Sequence, residues 1–216
     1  LDACTTGSWN TAIGYEALTT STTGERNVAV GRTAANALTD GRYNVAIGMA
    51  ALESQTTADD NTSVGYNSMN ANTTGEPNTA VGRSALAVNT TGSDNTAIGA
   101  YALDAATTGS HNTALGGAAL GSLTTGTQNT ALGRTSGDSI TTGNYNLCIG
   151  YNTDTGSATS DRRFVIGQDF VGTTNNAVHI GASGGHIRND FLDDATWDQV
   201  SDVRKKTNIE DNSMGL

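Results

Sequence analysis

Asn10-Thr-Ala-Ile-Gly14 is followed seventeen residues later by Asn27-Val-Ala-Val-Gly31, and seventeen later again by Asn44-Val-Ala-Ile-Gly48. The phrase keeps this step through Asn61 to Gly65, Asn78 to Gly82, Asn95 to Gly99, Asn112 to Gly116, Asn129 to Gly133 and Asn146 to Gly150. A degenerate copy is Arg163-Phe-Val-Ile-Gly167, and another, Ala177-Val-His-Ile-Gly181, comes after fourteen residues. The full unit reads N-[TV]-A-[IVL]-G-x-x-A-L-x-x-x-T-T-G-x-x. Chance does not place glycines in step through ten units. A fixed period of this kind marks a solenoid, in which each unit is stable only on its neighbours.

Within the phrase the side chains alternate, which is strand periodicity. The expectation is that the branched fourth position (Ile13, Val30, Ile47 and their equivalents) faces into the coil. Leu18, Leu52, Met69, Leu86, Leu103 and Leu120 are expected to meet it from the opposite side. The uniformly small third position (Ala12, Ala29, Ala46, Ser63 to Cys148) then points outward and lets another backbone approach around a threefold axis. Asn on Asn and Thr on Thr should form ladders, as stacked polar side chains do in other stacked β structures. A second glycine register, Gly7 and Gly24 to Gly143 with Ala58 as its one exception, implies a second tight corner. Seventeen residues leave little room for the helix of a leucine-rich repeat, and the G-G-x-G-x-D of calcium-binding rolls is absent. The fold class expected is all-β: a left-handed parallel β-roll or β-solenoid of 17-residue coils, assembled as a homotrimer because one chain's core is thin.

Composition agrees with a thin core. Hydrophobic residues make up 36% and aromatics 5% of the 216, while glycine alone supplies 27. Charged residues are only 15%, too few for a charge-driven disordered chain. The net charge of −10 argues against nucleic acid as a partner, since phosphate binding needs basic surface. No run of apolar residues is long enough to span a membrane, and no signal peptide is recognisable. Leu1 and the Met214-Gly215-Leu216 end read as belonging to a longer chain. Cys4 and Cys148 lie about eight coils apart, roughly 40 Å, too far to pair within one chain.

The N-[TV]-A-I-G-x-x-A phrase resembles the head repeats of trimeric autotransporter adhesins. With A-L-x-x-x-T-T-G added, it resembles repeats of phage tail fibres and related bacterial surface proteins. This likeness covers residues 1–181 and implies a trimeric β-roll. Ser201-Asp-Val-Arg-Lys-Lys-Thr-Asn-Ile209 resembles the opening of the intramolecular chaperone of endosialidases and tail fibres, the S74 peptidase family. Ser201, Asp202, Arg204, Lys206, Asn208 and Ile209 match its pattern, and Lys205 stands where leucine is usual. The likeness implies that Ser201 is the nucleophile, Lys206 its base, and the Val200–Ser201 bond the one cut. Residues 201–216 would be only the first part of such a domain.

Three segments are expected: a shaft over 1–167, a degenerate last coil with a glycine-rich joint and neck over 168–200, and the chaperone fragment over 201–216. The sixth position (Tyr15, Arg32, Tyr66, Arg83, Arg134, Tyr151) and the seventeenth (Trp9, Arg26, Tyr43, His111, Tyr145, Arg162) carry large side chains at corners. Tyr15, Tyr43, Tyr66, Tyr145 and Tyr151 are candidate receptor-facing residues, able to stack on glycans; shielding of strand edges or packing on neighbouring chains is the alternative role. His111, His179 and His186 lack metal-ligand spacing. Asp190, Asp193, Asp194 and Asp198 form either a cation site or a solvated neck. Asn61, Asn72 and Asn89 fit N-x-[ST] by composition alone. No cofactor or metal is expected.

The function expected is a structural fibre segment in a virion or other extracellular setting. It would associate with further fibre proteins and display a surface to a host glycan or protein receptor. A bacterial cell-surface adhesin is the alternative. A polysaccharide-degrading tailspike ranks lower, because it needs a carboxylate pair and the acidic residues look scattered.

Overall fold

The computed structural model describes residue 3, residues 5–190 and residues 198–200; side chains are described through residue 188. Each phrase beginning at Asn forms one short strand: β1 (Thr11–Ile13), β2 (Val28–Val30), β3 (Val45–Ile47), β4 (Thr62–Val64), β5 (Asn78–Val81), β6 (Asn95–Ile98), β7 (Thr113–Leu115), β8 (Thr130–Leu132) and β9 (Leu147–Ile149). β10 (Thr153–Asp154) and β12 (Phe170–Val171) pair with one another, and β11 (Phe164–Gln168) and β13 (Ala177–Ala182) extend the main ladder. The main ladder is parallel from β1 to β13, with partners seventeen residues apart until the shorter last coil. β14 (Gly185–Asp190) and β15 (Asp198–Val200) then run antiparallel and close that end. The glycine-rich stretch at 181–185 spans the β13–β14 hairpin, whose turn is Ser183 and Gly184, and the N–H of Gly184 donates to the Ala182 carbonyl at 2.7 Å. No helix long and apolar enough to cross a membrane occurs among the described residues.

The expectation of like on like holds at the corners. Each Asn donates its backbone N–H to the Oδ1 of the Asn one coil earlier, at 2.9 Å for Asn27 on Asn10 and 3.0 Å for Asn129 on Asn112. Its own Nδ2 donates to a carbonyl of the T-T-G corner, as Asn95 does to Gly109 at 2.8 Å. The threonine ladder runs hydroxyl to carbonyl, Thr90 to Thr107 and Thr107 to Thr124, at 3.1 and 3.3 Å. These bonds satisfy polar groups that the narrow interior would otherwise leave unpaired at about 1–3 kcal/mol each.

The faces of the strand are the reverse of the expectation. The small third position is inside: Ala29, Ala46, Ala80, Ala97, Ala114 and Ala131 have no exposed surface. The branched fourth position is outside, with Ile13 at 60% and Ile98 at 38% exposure. The reason is volume. Leucine at the ninth position is fully buried from the opposite wall, and so is the twelfth position, occupied by Leu38, Leu123 and Ile140. Where leucines fill these walls the strand side of the coil has room for little more than a methyl group, whereas the last coils admit Cys148, Val165 and His179 at the same position. The alanine row therefore does not face a threefold axis.

The corners also differ from expectation in their backbone. Gly99, in the first register, has φ +136°, and a Cβ there would lie 2.5 Å from the Gly116 carbonyl oxygen of the next coil. The second register lies outside the left-handed region; Gly92 is small because a Cβ would lie 2.3 Å from the Gly109 oxygen. Left-handed turns fall on ordinary residues as well, up to three per coil. In one coil they are Ser84 (φ 54°), Leu86 (φ 50°) and Asp94 (φ 56°). Inter-coil bonds hold them, such as Leu86 N–H to the Ala102 oxygen at 3.0 Å. Pro77 takes the seventeenth position in its coil, after a cis peptide bond.

Candidate functional site: an apolar strand face with arginine–aromatic borders

The outward side chains of β1–β9, β11 and β13 form one continuous surface. Its centre is the fourth-position column, Ile13 through Ile47, Ile98, Leu115 and Leu132 to Ile180, each more than a third exposed. The second position beside it is threonine, or valine at Val28 and Val45, before Leu147 and Phe164. Ten strand spacings make this column about 48 Å long. An uninterrupted apolar surface on that scale is the usual mark of a surface that another protein covers.

The sixth and seventeenth positions border this face on either side, because one follows each strand and the other precedes it. Along each border arginines stack on aromatics one coil away. Arg26 lies 4.4 Å from the Trp9 ring and 5.3 Å from the Tyr43 ring, and its Nη1 donates to the Tyr43 hydroxyl at 2.8 Å. Arg83 lies 5.9 Å from Tyr66 and 5.4 Å from Tyr101. Arg134 sits 5.9 Å from Tyr151, and Arg162 sits 5.1 Å from Tyr145. Tyr15, Tyr43, Tyr66, Tyr145 and Tyr151 are between 45% and 67% exposed. The Glu16 carboxylate beside Tyr15 raises that phenol above its ordinary value. Arginine–aromatic stacking at such exposed sites contributes on the order of 0.5–1 kcal/mol.

Other sequence candidates separate. Ser201 and Lys206 lie outside the described residues, as does Cys4. Val200 ends β15, but its side chain is not described, nor are those of the acidic cluster at 190–198. His111 is exposed, 3.6 Å from Asp94. His179 sits far from it, inside the last coil, with its ring 5.9 Å from that of His186. Among the described residues no three His, Cys, Asp or Glu side chains gather in a metal-binding group. Asn61, Asn72 and Asn89 are buried interior residues, with Asn61 and Asn72 both donating to the Gln55 Oε1 at 3.1 Å.

One grouping escaped the sequence reading. Asp104 and Asp138 occupy the tenth position of alternate coils, with Gly121 between them. A methyl group on Gly121 would lie 3.0 Å from the Asp138 Oδ1 and 3.5 Å from the Asp104 Oδ1. Partial burial raises both carboxyls above the ordinary range, with Asp154 adding to the effect on Asp138. The 34-residue step between the two was the available signal.

No family model, curated protein or solved structure matches the chain. Its class rests on the fold itself, which is a parallel β-solenoid of about 17-residue coils.

Proposed function

We propose that this chain is a shaft segment of a homotrimeric extracellular fibre, a left-handed β-roll of which three copies pack through the exposed strand face. The observation that carries the reading is the fourth-position column, apolar at every coil from Ile13 to Ile180 and open to water in the single chain. A column of isoleucine, valine and leucine flanked by polar and aromatic borders has the anatomy of a protein–protein interface: apolar centre, mixed rim. A closed ring of identical copies about an axis parallel to the ladder covers the column in all of them and leaves none over.

The role is mechanical. Backbone ladders from β1 to β13, doubled by asparagine and threonine ladders over most of that length, resist shear and leave few strand edges free. The tyrosines along the borders then fall at the seams between copies, where they are presented to a host glycan or protein receptor. The resemblance to tail-fibre repeats favours a phage fibre, with a bacterial adhesin as the alternative. Catalysis is confined to one self-cleavage at Val200–Ser201, with Ser201 as nucleophile and Lys206 as base, in the manner of the chaperone family its sequence resembles.

Mass spectrometry of a chain extended through the complete C-terminal domain tests the cleavage. Release of a fragment beginning at Ser201, abolished by Ser201→Ala, is the expected result; cleavage that persists in the variant contradicts the assignment.

A further inference from the structure

The two borders of the strand face are matched to each other in sequence. Each arginine at the sixth position is followed eleven residues later by an aromatic or acidic residue: Arg32 by Tyr43, Arg83 by Asp94, Arg134 by Tyr145. Each arginine at the seventeenth position is preceded eleven residues earlier by a tyrosine: Arg26 by Tyr15, Arg162 by Tyr151. The members of a pair cannot meet in one chain. One follows a strand and the other precedes the next, so they stand at opposite ends of the face, roughly 20 Å apart at strand rise. Within the chain the arginines stack only along their own side, as Arg26 does on Trp9 and Tyr43.

We propose that a neighbouring copy of this chain supplies the second half of each pair, which fixes the register of the assembly: residue i of one copy lies against residue i+11 of the next. The inference rests on the trimeric reading above and adds to it which residues meet. In a ring around an axis along the ladder, the trailing border of one face abuts the leading border of its neighbour. Pairing at eleven residues then gives arginine on tyrosine at four levels and the ion pair Arg83–Asp94 at a fifth.

The neighbouring registers are poorer. With no shift, the residue before a strand meets the residue after the equivalent strand of the next copy. Arg26 then faces Arg32, a like-charge contact, while Arg83 faces Pro77. With the opposite shift Trp9 meets Arg32 and Asp60 meets Arg83, two favourable pairs against five, while Arg26 meets Met49 and Arg134 meets His111. Rotation keeps equivalent residues at one height. The favoured register therefore requires the strand path to climb one coil, roughly 4.8 Å, between its two ends.

Cysteine pairs read this register directly. In a chain carrying Cys4→Ala and Cys148→Ala, three double variants are compared after mild oxidation: Arg83→Cys with Asp94→Cys, Asp94→Cys with Ala100→Cys, and Asp60→Cys with Arg83→Cys. The first represents the favoured register, the second no shift, the third the opposite shift. Each is first weighed by light scattering. The expected result is a trimeric mass throughout and covalent linkage between chains on a denaturing gel for the first pair alone. A trimer linked through either of the other pairs, or through none, overturns the register and leaves the trimer standing. A single-chain mass overturns the trimeric reading itself. As a second measurement, Arg83→Asp should lower the melting temperature of the trimer and Asp94→Arg in the same chain should restore it; no restoration contradicts the pairing.

Discussion

The backbone N–H of Asn112 donates to the Oδ1 of Asn95 at 3.0 Å, although the two residues are seventeen apart in the chain. Asn95 meanwhile donates its Nδ2 to the Gly109 carbonyl at 2.8 Å and its N–H to the Asn78 Oδ1 at 3.0 Å. One residue thus joins three successive coils, and its side chain ties the strand start to the far corner. Asn95→Ala leaves the Asn112 N–H and the Gly109 carbonyl buried without partners. A cost of about 1–3 kcal/mol for each is expected. Denaturant unfolding should show a lower midpoint, whereas Arg42→Ala, at an exposed side chain, should move it little.

Residues on opposite faces of one strand should respond in opposite ways. Ala97 is fully buried, so Ala97→Leu overpacks the coil at an expected cost of about 1–3 kcal/mol. Ile98→Ala removes an exposed side chain and should leave the unfolding of an isolated chain nearly unchanged while weakening association. Equal losses for the two in the isolated chain would contradict the assigned faces.

This reversal of faces marks where the sequence stops being legible. Periodicity placed the strands, the coil length and both ladders, because seventeen-residue spacing aligns like residues without any knowledge of the interior. Alternation also required Ala97 and Ile98 to point opposite ways. Which of them points inward depends on volume, and the volume is set by residues that carry no pattern. The twelfth position is buried whether it is Ser21, Leu38, Gln55, Asn72 or Ala106, so nothing in its composition announces an inner wall. Left-handed backbone at Leu86 and Asp94 was equally hidden, because inter-coil hydrogen bonds rather than residue type hold it. The Arg–Tyr borders were legible as columns; their stacking one coil apart follows from the ladder.

Cys148 is buried in the third-position column, and desolvation, with Asp154 nearby, pushes its thiol up to about 12. The thiolate is the reactive form, so alkylation at neutral pH should be slow in the folded chain and rapid in denaturant. Mass spectrometry after timed exposure to iodoacetamide checks this. Rapid labelling of Cys148 under native conditions would mean that the last coils open.

His179 continues the same interior column, is 1% exposed, and neither of its ring nitrogens finds a hydrogen-bond partner. Burial lowers its pKa first, and His186, Arg188 and Arg163 lower it further; the Thr174 backbone, which approaches the ring without meeting hydrogen-bond geometry, offsets only part of this. A histidine whose folded pKa lies below its unfolded value, about 6.5, favours folding above that pH. As pH falls through this value the unfolded state takes up the proton first, and stability is lost. The protection factors of the β13 amides, measured against intrinsic exchange at each pH, should therefore fall below about pH 6.5, and His179→Phe should flatten the dependence. An unchanged pH profile in that variant would assign the effect to other groups.

Mass in solution, measured by light scattering at micromolar concentration, tests most directly whether the column from Ile13 to Ile180 is an interface. The expected value is three times the 22.0 kDa chain, falling to a single folded chain when Ile98→Asp and Leu115→Asp are introduced together. A wild-type chain of single mass with its strand face in water would contradict it.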